Sequence, residues 1–213
     1  MPIRVLVVEC HAAVRMAVLR RLDSGRRFVA VGVGTAAEAV GLATEEQFDV
    51  AVIGHPLGYG EDALRLTREL RALPGRPAVL LYAAAGTPFA ALAMVAGAQG
   101  LLERCALHDE LCDAVCDVAA GRPRWPVLSN LIVLGQSMRL PVEHRVPFQL
   151  WTAGASDAEI AGAQGMSGAE LEDVRKAVIK ELSRPESATP WDDGSWPLAH
   201  ARARRLRQGG TQC

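Results

Sequence analysis

Short apolar runs recur through the first 121 positions, each followed by a longer stretch whose apolar residues return every three or four places. Residues 3–8 are apolar except for Arg4, a pattern that predicts a strand buried on both faces. Residues 11–22 put Val14, Val18 and Leu22 at helical spacing and Arg15, Arg20 and Arg21 at polar positions. Strand signals return at 28–33, 48–53, 77–82 and 99–102. The stretches 62–73, 88–96 and 107–120 read as helices, and Gly121 stops the last of them. A further helix follows Thr35, with Glu38 three residues on as a capping-box partner. Five strand–helix repeats with short connections imply an α/β domain with a parallel sheet covered on both faces. Right-handed crossovers make the flavodoxin-like, doubly wound, five-stranded order the expected one.

The pattern changes after residue 121. Pro123 and Pro126 break helix continuation. Trp125 is expected to pack against a domain, and Leu131, Ile132 and Val133 to form a short connecting helix. From residue 140 the helical period resumes, with helices starting near Val142, Ser156 and Ser167 and stops at Gly154 and Gly165. Ser156 with Glu159, and Ser167 with Glu170, repeat the capping box. Pro147 is expected to kink or shorten the first of these helices. After a loop at 184–195, residues 196–208 predict a last helix, with Pro197 near its first turn. It carries Arg202, Arg204, Arg205 and Arg207, with Trp196, Leu198 and Leu206 available for packing. The chain therefore divides into an α/β domain at 1–121, a linker at 122–139 and an all-α domain at 140–213.

Composition narrows the function. A length of 213 residues suits two small domains, and 50% apolar content is enough to bury two cores. A net charge of −1 gives no global pull toward nucleic acid or anionic membrane. No stretch approaches the roughly 20 apolar residues that span a bilayer, and no leader pattern opens the chain. A cytoplasmic protein without a membrane partner is expected. The five cysteines form no CxxC pair, so reduced thiols are expected. No Ser–His–Asp, Cys–His or P-loop pattern is present, and the G-x-G at Gly58 and Gly60 lacks phosphate-binding spacing. No enzyme is expected.

Four segments stand at the strand ends: IRVLVVECH at 3–11, FDVAVIG at 48–54, AVLLYA at 78–83 and AGAQGLLERCA at 96–106. As a set they resemble the receiver domain of two-component response regulators, over residues 3–121. The resemblance implies an acidic pair holding Mg²⁺, a phosphoacceptor aspartate, a Thr or Ser, and a lysine. This chain has instead Glu9 followed by Cys10, Gly54, Tyr82 and Arg104. Gly54 has no side chain to phosphorylate, and Cys10 is not a hard oxygen ligand. Tyr82 is bulky, and Arg104 keeps the lysine's charge without its point-donor geometry. The expectation is a pseudo-receiver with a degenerate phosphorylation pocket, no catalytic residue and no cofactor. Arg104 would pair with Glu9 and close the pocket; a crevice open to a small-molecule effector is the alternative.

Cys10, His11, His55 and Cys105 fall near one rim and are donors that suit Zn²⁺. Their spacing matches no local metal motif, and no metal site is expected from it. Cys112 and Cys116 lie on one helix face and are read as packing residues. Ala90, Ala91, Ala93 and Ala96 permit close approach of a second chain, so a homodimer through the receiver-like domain is expected.

In the second domain, TAGASDAEIAGAQGMS at 152–167 resembles the LuxR/NarL-type helix-turn-helix, a likeness that covers 140–182. It implies promoter DNA as partner, with the recognition helix entering the major groove. By position, Ser167 and Glu172 would lie nearest the bases and Arg175, Lys176 and Lys180 would contact phosphates. The charge departs from this role. Across 140–185, Arg145, Arg175, Lys176, Lys180 and Arg184 face Glu143, Asp157, Glu159, Glu170, Glu172, Asp173 and Glu181, a net of −2. That is poor for a module whose affinity comes largely from phosphate neutralisation. Two readings follow. One is a phosphorylation-independent DNA-binding transcription regulator of atypical response-regulator type, controlled by dimerisation, a ligand or a partner regulator. The other is a degenerate regulator acting as a protein-interaction adaptor, with weak or no DNA binding.

Overall fold

The computed structural model describes residues 1–23, 26–58, 62–83, 87–104 and 108–184. The helix expected at 196–208 and its four arginines, together with Gly60, Cys105 and Cys213, lie outside the described residues. Met1–Leu182 form one compact unit and Ser183–Cys213 a second.

The first unit opens with β1 (Ile3–Val8), α1 (Ala12–Leu22), β2 (Phe28–Val33), α2 (Ala36–Glu45) and β3 (Val50–His55). It continues with α3 (Ala63–Ala72), β4 (Ala78–Ala83), α4 (Thr87–Val95), β5 (Gly100–Glu103) and α5 (His108–Ala119). All strand pairs are parallel, in the order β2-β1-β3-β4-β5. This is the flavodoxin-like order that the sequence pattern predicts.

Burial follows each strand's place. Val5, Leu6, Val7 and Val8 of the inner strand β1 are all buried, whereas edge strand β2 alternates, leaving Val29 and Val31 exposed. One side chain set of the sheet, including Leu6, Ile53 and Leu81, packs with α2, α3 and α4. The other, including Val52, Leu80 and Tyr82, packs with α1 and α5. Helix starts are fixed locally. The Thr35–Glu38 capping box is formed in both directions, and the Asp62 carboxylate caps α3 by accepting from Leu64 N at 2.9 Å. Strand β3 starts at Val50, just after Asp49, whose carboxylate accepts from the Arg4 N–H at 2.8 Å; it runs on to His55, so Gly54 lies inside the strand.

Four more helices follow: α6 (Asn130–Arg139), α7 (Val142–Thr152), α8 (Asp157–Gln164) and α9 (Gly168–Leu182). Pro147 sits inside α7 without ending it, and Phe148 and Trp151 beyond it are buried. Gly165 closes α8 in the left-handed conformation (φ 64°), the backbone that glycine adopts without strain. Trp125 packs against the larger core, as expected.

One arrangement departs from the sequence reading. Ala90, Ala91, Ala93 and Ala96 are buried, and α4 is covered by α6, α7 and α9 of the same chain. The small-residue face expected at a subunit interface is therefore an internal one. Leu140, Phe148, Trp151, Ile160, Leu171 and Val178 join the same core as Leu66, Leu70 and Ala91.

Candidate functional site

The strand ends carry the first candidate site. Glu9 follows β1 and is buried, at 2% exposure. Its Oε2 accepts from Arg104 Nη2 at 2.6 Å, and its Oε1 accepts from the His11 backbone N–H at 2.9 Å. His11 Nδ1 lies 3.0 Å from the same Oε1. Tyr82 turns inward and donates its hydroxyl to the Arg104 carbonyl at 2.8 Å, which fixes the backbone that presents the guanidinium.

Gly54 completes the arrangement by its missing side chain. A Cβ at that position would stand 2.4 Å from Glu9 Oε2 and 3.2 Å from Arg104 Nη2. The ion pair thus occupies the space that a side chain at 54 would need. A carboxylate does fill the vacancy, but both of its oxygens are engaged, one by a cation and one by His11.

The Mg²⁺ ion implied by the receiver resemblance does not fit these residues. Glu9 is the only carboxylate among the five pocket positions, and Arg104 already neutralises it. Cys10 offers a thiol and Gly54 offers no ligand. Magnesium needs hard oxygen donors at near-octahedral geometry.

Two groups in the crevice respond to pH. Burial pushes the Glu9 carboxyl up, but the hydrogen bonds from His11, the Arg104 charge and the Cys10 thiol outweigh it, so the group sits below its ordinary value. Burial pushes the His55 imidazole below its ordinary value; Asp62 opposes that shift and Arg104 adds to it. Among the described residues His55 Nδ1 is buried without a hydrogen-bond partner, and the ring stacks on Phe89 at 4.0 Å. Both shifts mean that the unfolded chain binds more protons, so stability falls as pH falls. The His55 contribution is intact above about pH 6.5 and is lost as pH drops through that value. The Glu9 contribution is intact above about pH 4.3 and is lost as pH falls through its lowered folded value. Thermal midpoints measured across this range should fall in those two steps, and His55→Phe should remove the upper one.

The second candidate site is the α8–turn–α9 pair. Ser156 and Ser167 form the two expected capping boxes; the Ser167 hydroxyl donates to Glu170 Oε2 at 2.8 Å. Ser167, Lys176 and Lys180 are exposed, and Lys176 Nζ pairs with Asp173 at 3.1 Å. Arg175 is placed differently from its expected position at a DNA phosphate. It is 5% exposed, donates to the Val95 carbonyl at the end of α4, and pairs with Asp157. Its Nε reaches Glu172 at 3.0 Å, and its guanidinium lies 4.9 Å from the Trp151 ring centroid. Glu172, expected nearest the bases, receives Arg68 of α3 at 2.7 Å. Of the four α9 residues that sequence position assigns to DNA, Glu172 and Arg175 are turned onto the α/β layer, while Lys176 and Lys180 stay exposed. Sequence reasoning missed this because Arg175 and Val95 are 80 positions apart.

No protein-family model matches the chain, and a search of curated proteins returns no match. Solved structures do match. The signal receiver domain of NarL from Mycobacterium tuberculosis is 30% identical over 57% of this chain and 98% of that one, with a TM-score of 0.53. A LuxR-family two-component response regulator from Aurantimonas sp. SI85-9A1 is 26% identical over 63% of this chain and 94% of that one, with a TM-score of 0.54. RcsB from Salmonella enterica serovar Typhimurium, bound to promoter P1flhDC with phosphomimetic BeF3⁻, covers 88% of this chain and 95% of its own at a TM-score of 0.58. At 13% identity that last likeness speaks for the fold alone. The 30% identity over 98% of the NarL receiver places this chain in the family of LuxR/NarL-type response regulators.

Proposed function

We propose that this chain is a DNA-binding transcription regulator that works without aspartyl phosphorylation. The observation that carries the reading is the Glu9–Arg104 pair seated where a side chain at position 54 would stand. The pair does within the protein what Mg²⁺ and a phosphoryl group do between them, which is to balance charge in the crevice. The switch is then held in one electrostatic state, and control passes to assembly, to a ligand or to a partner regulator.

The helix-turn-helix geometry supports DNA as partner, with Ser167 at the start of α9 and Lys176 and Lys180 within it as the exposed contact residues. In the docked arrangement Glu172 and Arg175 face α3 and α4, so engagement of the major groove by α9 requires its release. Arg68 of α3 holds Glu172 in the docked position and is not itself among the expected DNA contacts. Arg68→Ala should therefore tighten DNA binding about two- to fivefold, the worth of a partly exposed ion pair. Fluorescence anisotropy against genomic promoter fragments at two salt concentrations tests the reading. Specific binding well below about 10⁻⁶ M at physiological salt supports it; attachment no tighter than that for any fragment contradicts it.

A second reading has an observation of its own. Leu131, Leu134 and Met138 on α6, and Val142 and Val146 on α7, are exposed large apolar side chains. Their spacing forms a stripe of the kind that marks a protein contact. It favours an adaptor that associates with another response-regulator chain, and it becomes the better account if anisotropy finds no specific DNA binding.

A further inference from the structure

Beside the ion pair, three adjacent residues bring three different metal-ligating atoms together. Cys10 Sγ lies 3.1 Å from His11 Nδ1 and 3.5 Å from Glu9 Oε1, and His11 Nδ1 lies 3.0 Å from Glu9 Oε1. We propose that Glu9, Cys10 and His11 form a binding site for a soft or borderline divalent transition metal, of which Zn²⁺ is the type case.

The edges of this triangle fit the ion. Zinc bonds of about 2.3 Å to sulfur and about 2.0–2.1 Å to nitrogen and oxygen, at tetrahedral angles, separate the ligand atoms by about 3.3–3.6 Å. The observed edges need only open by a few tenths of an ångström. The metal takes the place of the protons that now link the three groups. One proton leaves the Cys10 thiol for solvent, the His11 imidazole binds neutral through Nδ1, and the carboxylate supplies Oε1. Water completes the fourth position, because the His11 side chain is 67% exposed and the site opens outward.

The surroundings hold the donors in place. Arg104 fixes the carboxylate from its other oxygen, Oε2, and leaves Oε1 directed at the triad. Arg15 Nη1 donates to the Glu9 carbonyl at 2.6 Å and to the Cys10 carbonyl at 3.4 Å, bracing the backbone between the ligands. Gly58 lies over the thiol: a Cβ there would come within 3.0 Å of Cys10 Sγ. Such outer partners orient metal ligands and contribute to affinity. The donor set also selects the ion. A thiolate and an imidazole suit Zn²⁺ or Co²⁺ and are poor ligands for Mg²⁺. Sequence spacing pointed to Cys10 and His11 but joined them to His55 and Cys105 of other segments, whereas here the third donor is the neighbouring Glu9.

The claim goes beyond the DNA-binding reading and is tested without DNA. Co²⁺ added to the full-length chain should give one tetrahedral site with a thiolate-to-cobalt charge-transfer band, displaced by Zn²⁺ and not by Mg²⁺. Calorimetry with Zn²⁺ should show one ion bound and about one proton released. Cys10→Ser should abolish the band, and Cys10→Ser and His11→Ala should each weaken binding at least tenfold. Circular dichroism of both variants checks that the fold is retained. Cys105→Ser, Cys112→Ser, Cys116→Ser and Cys213→Ser should each leave the band unchanged. Absence of the band, or a band that survives Cys10→Ser, overturns the proposal.

Discussion

Arg175→Ala should lower the unfolding free energy by about 2–4 kcal/mol, whereas Lys176→Ala, one residue on, should change it by less than about 0.5 kcal/mol. The contrast follows from where the two cations sit. Arg175 is buried and joins Asp157, Glu172, the Val95 carbonyl and the face of Trp151. Truncation leaves the Val95 carbonyl unpaired and removes a cation–π contact worth about 0.5–2 kcal/mol. The figure stays below that for a fully enclosed pair, because Asp157 and Glu172 are partly exposed and rehydrate. Among the described residues Lys176 pairs only with exposed Asp173. Arg175→Lys should recover little, since one ammonium cannot reach carbonyl, carboxylates and ring in a fork geometry. Urea unfolding of the three variants measures this. A variant at 175 that keeps full stability and only reduces the salt dependence of DNA binding would return the residue to the DNA face.

Gly54→Asp, the change that restores the receiver family's acidic residue, should destabilise the chain by about 3 kcal/mol or more and should not restore phosphorylation. The new Cβ meets Glu9 Oε2 at 2.4 Å, so the carboxylate must leave Arg104 or the backbone must move. Two carboxylates then share one guanidinium, and breaking a buried pair costs about 3–5 kcal/mol. Gly54→Ala carries the steric part alone and should cost about 1–3 kcal/mol. Adding Glu9→Ala to Gly54→Asp should recover part of the loss, because the two carboxylates compete for one place. A double-mutant cycle in urea separates these contributions. If Gly54→Asp is as stable as the parent chain, the ion pair does not depend on the glycine.

Much of this was readable from the residues because the relevant signals are local. A parallel strand buried on both faces reads as a continuous apolar run, and β1, β3 and β4 do so. Three capping boxes announce helix starts through residues three apart, and all three are formed. The substitutions at 10, 54, 82 and 104 stand at strand ends beside the retained Glu9, where the topology gathers them whatever their chemistry.

What the sequence did not disclose is long-range. Nothing near Arg175 separates an arginine that meets a phosphate from one that caps the end of α4. The decision is made by Val95 and Asp157, at 80 and 18 positions' distance. The alanine face of α4 carried the same ambiguity: small residues announce a close neighbour without saying which chain supplies it. Here the neighbour is α6, α7 and α9.

The most direct test of the central claim is mass spectrometry of the intact chain after incubation with acetyl phosphate and Mg²⁺, followed by peptide mapping. With Gly54 lacking an acceptor and Glu9 held by Arg104 and His11, no phosphoryl adduct should form in residues 1–121. An adduct on Glu9, or on any other carboxylate of the strand-end crevice, would contradict the account.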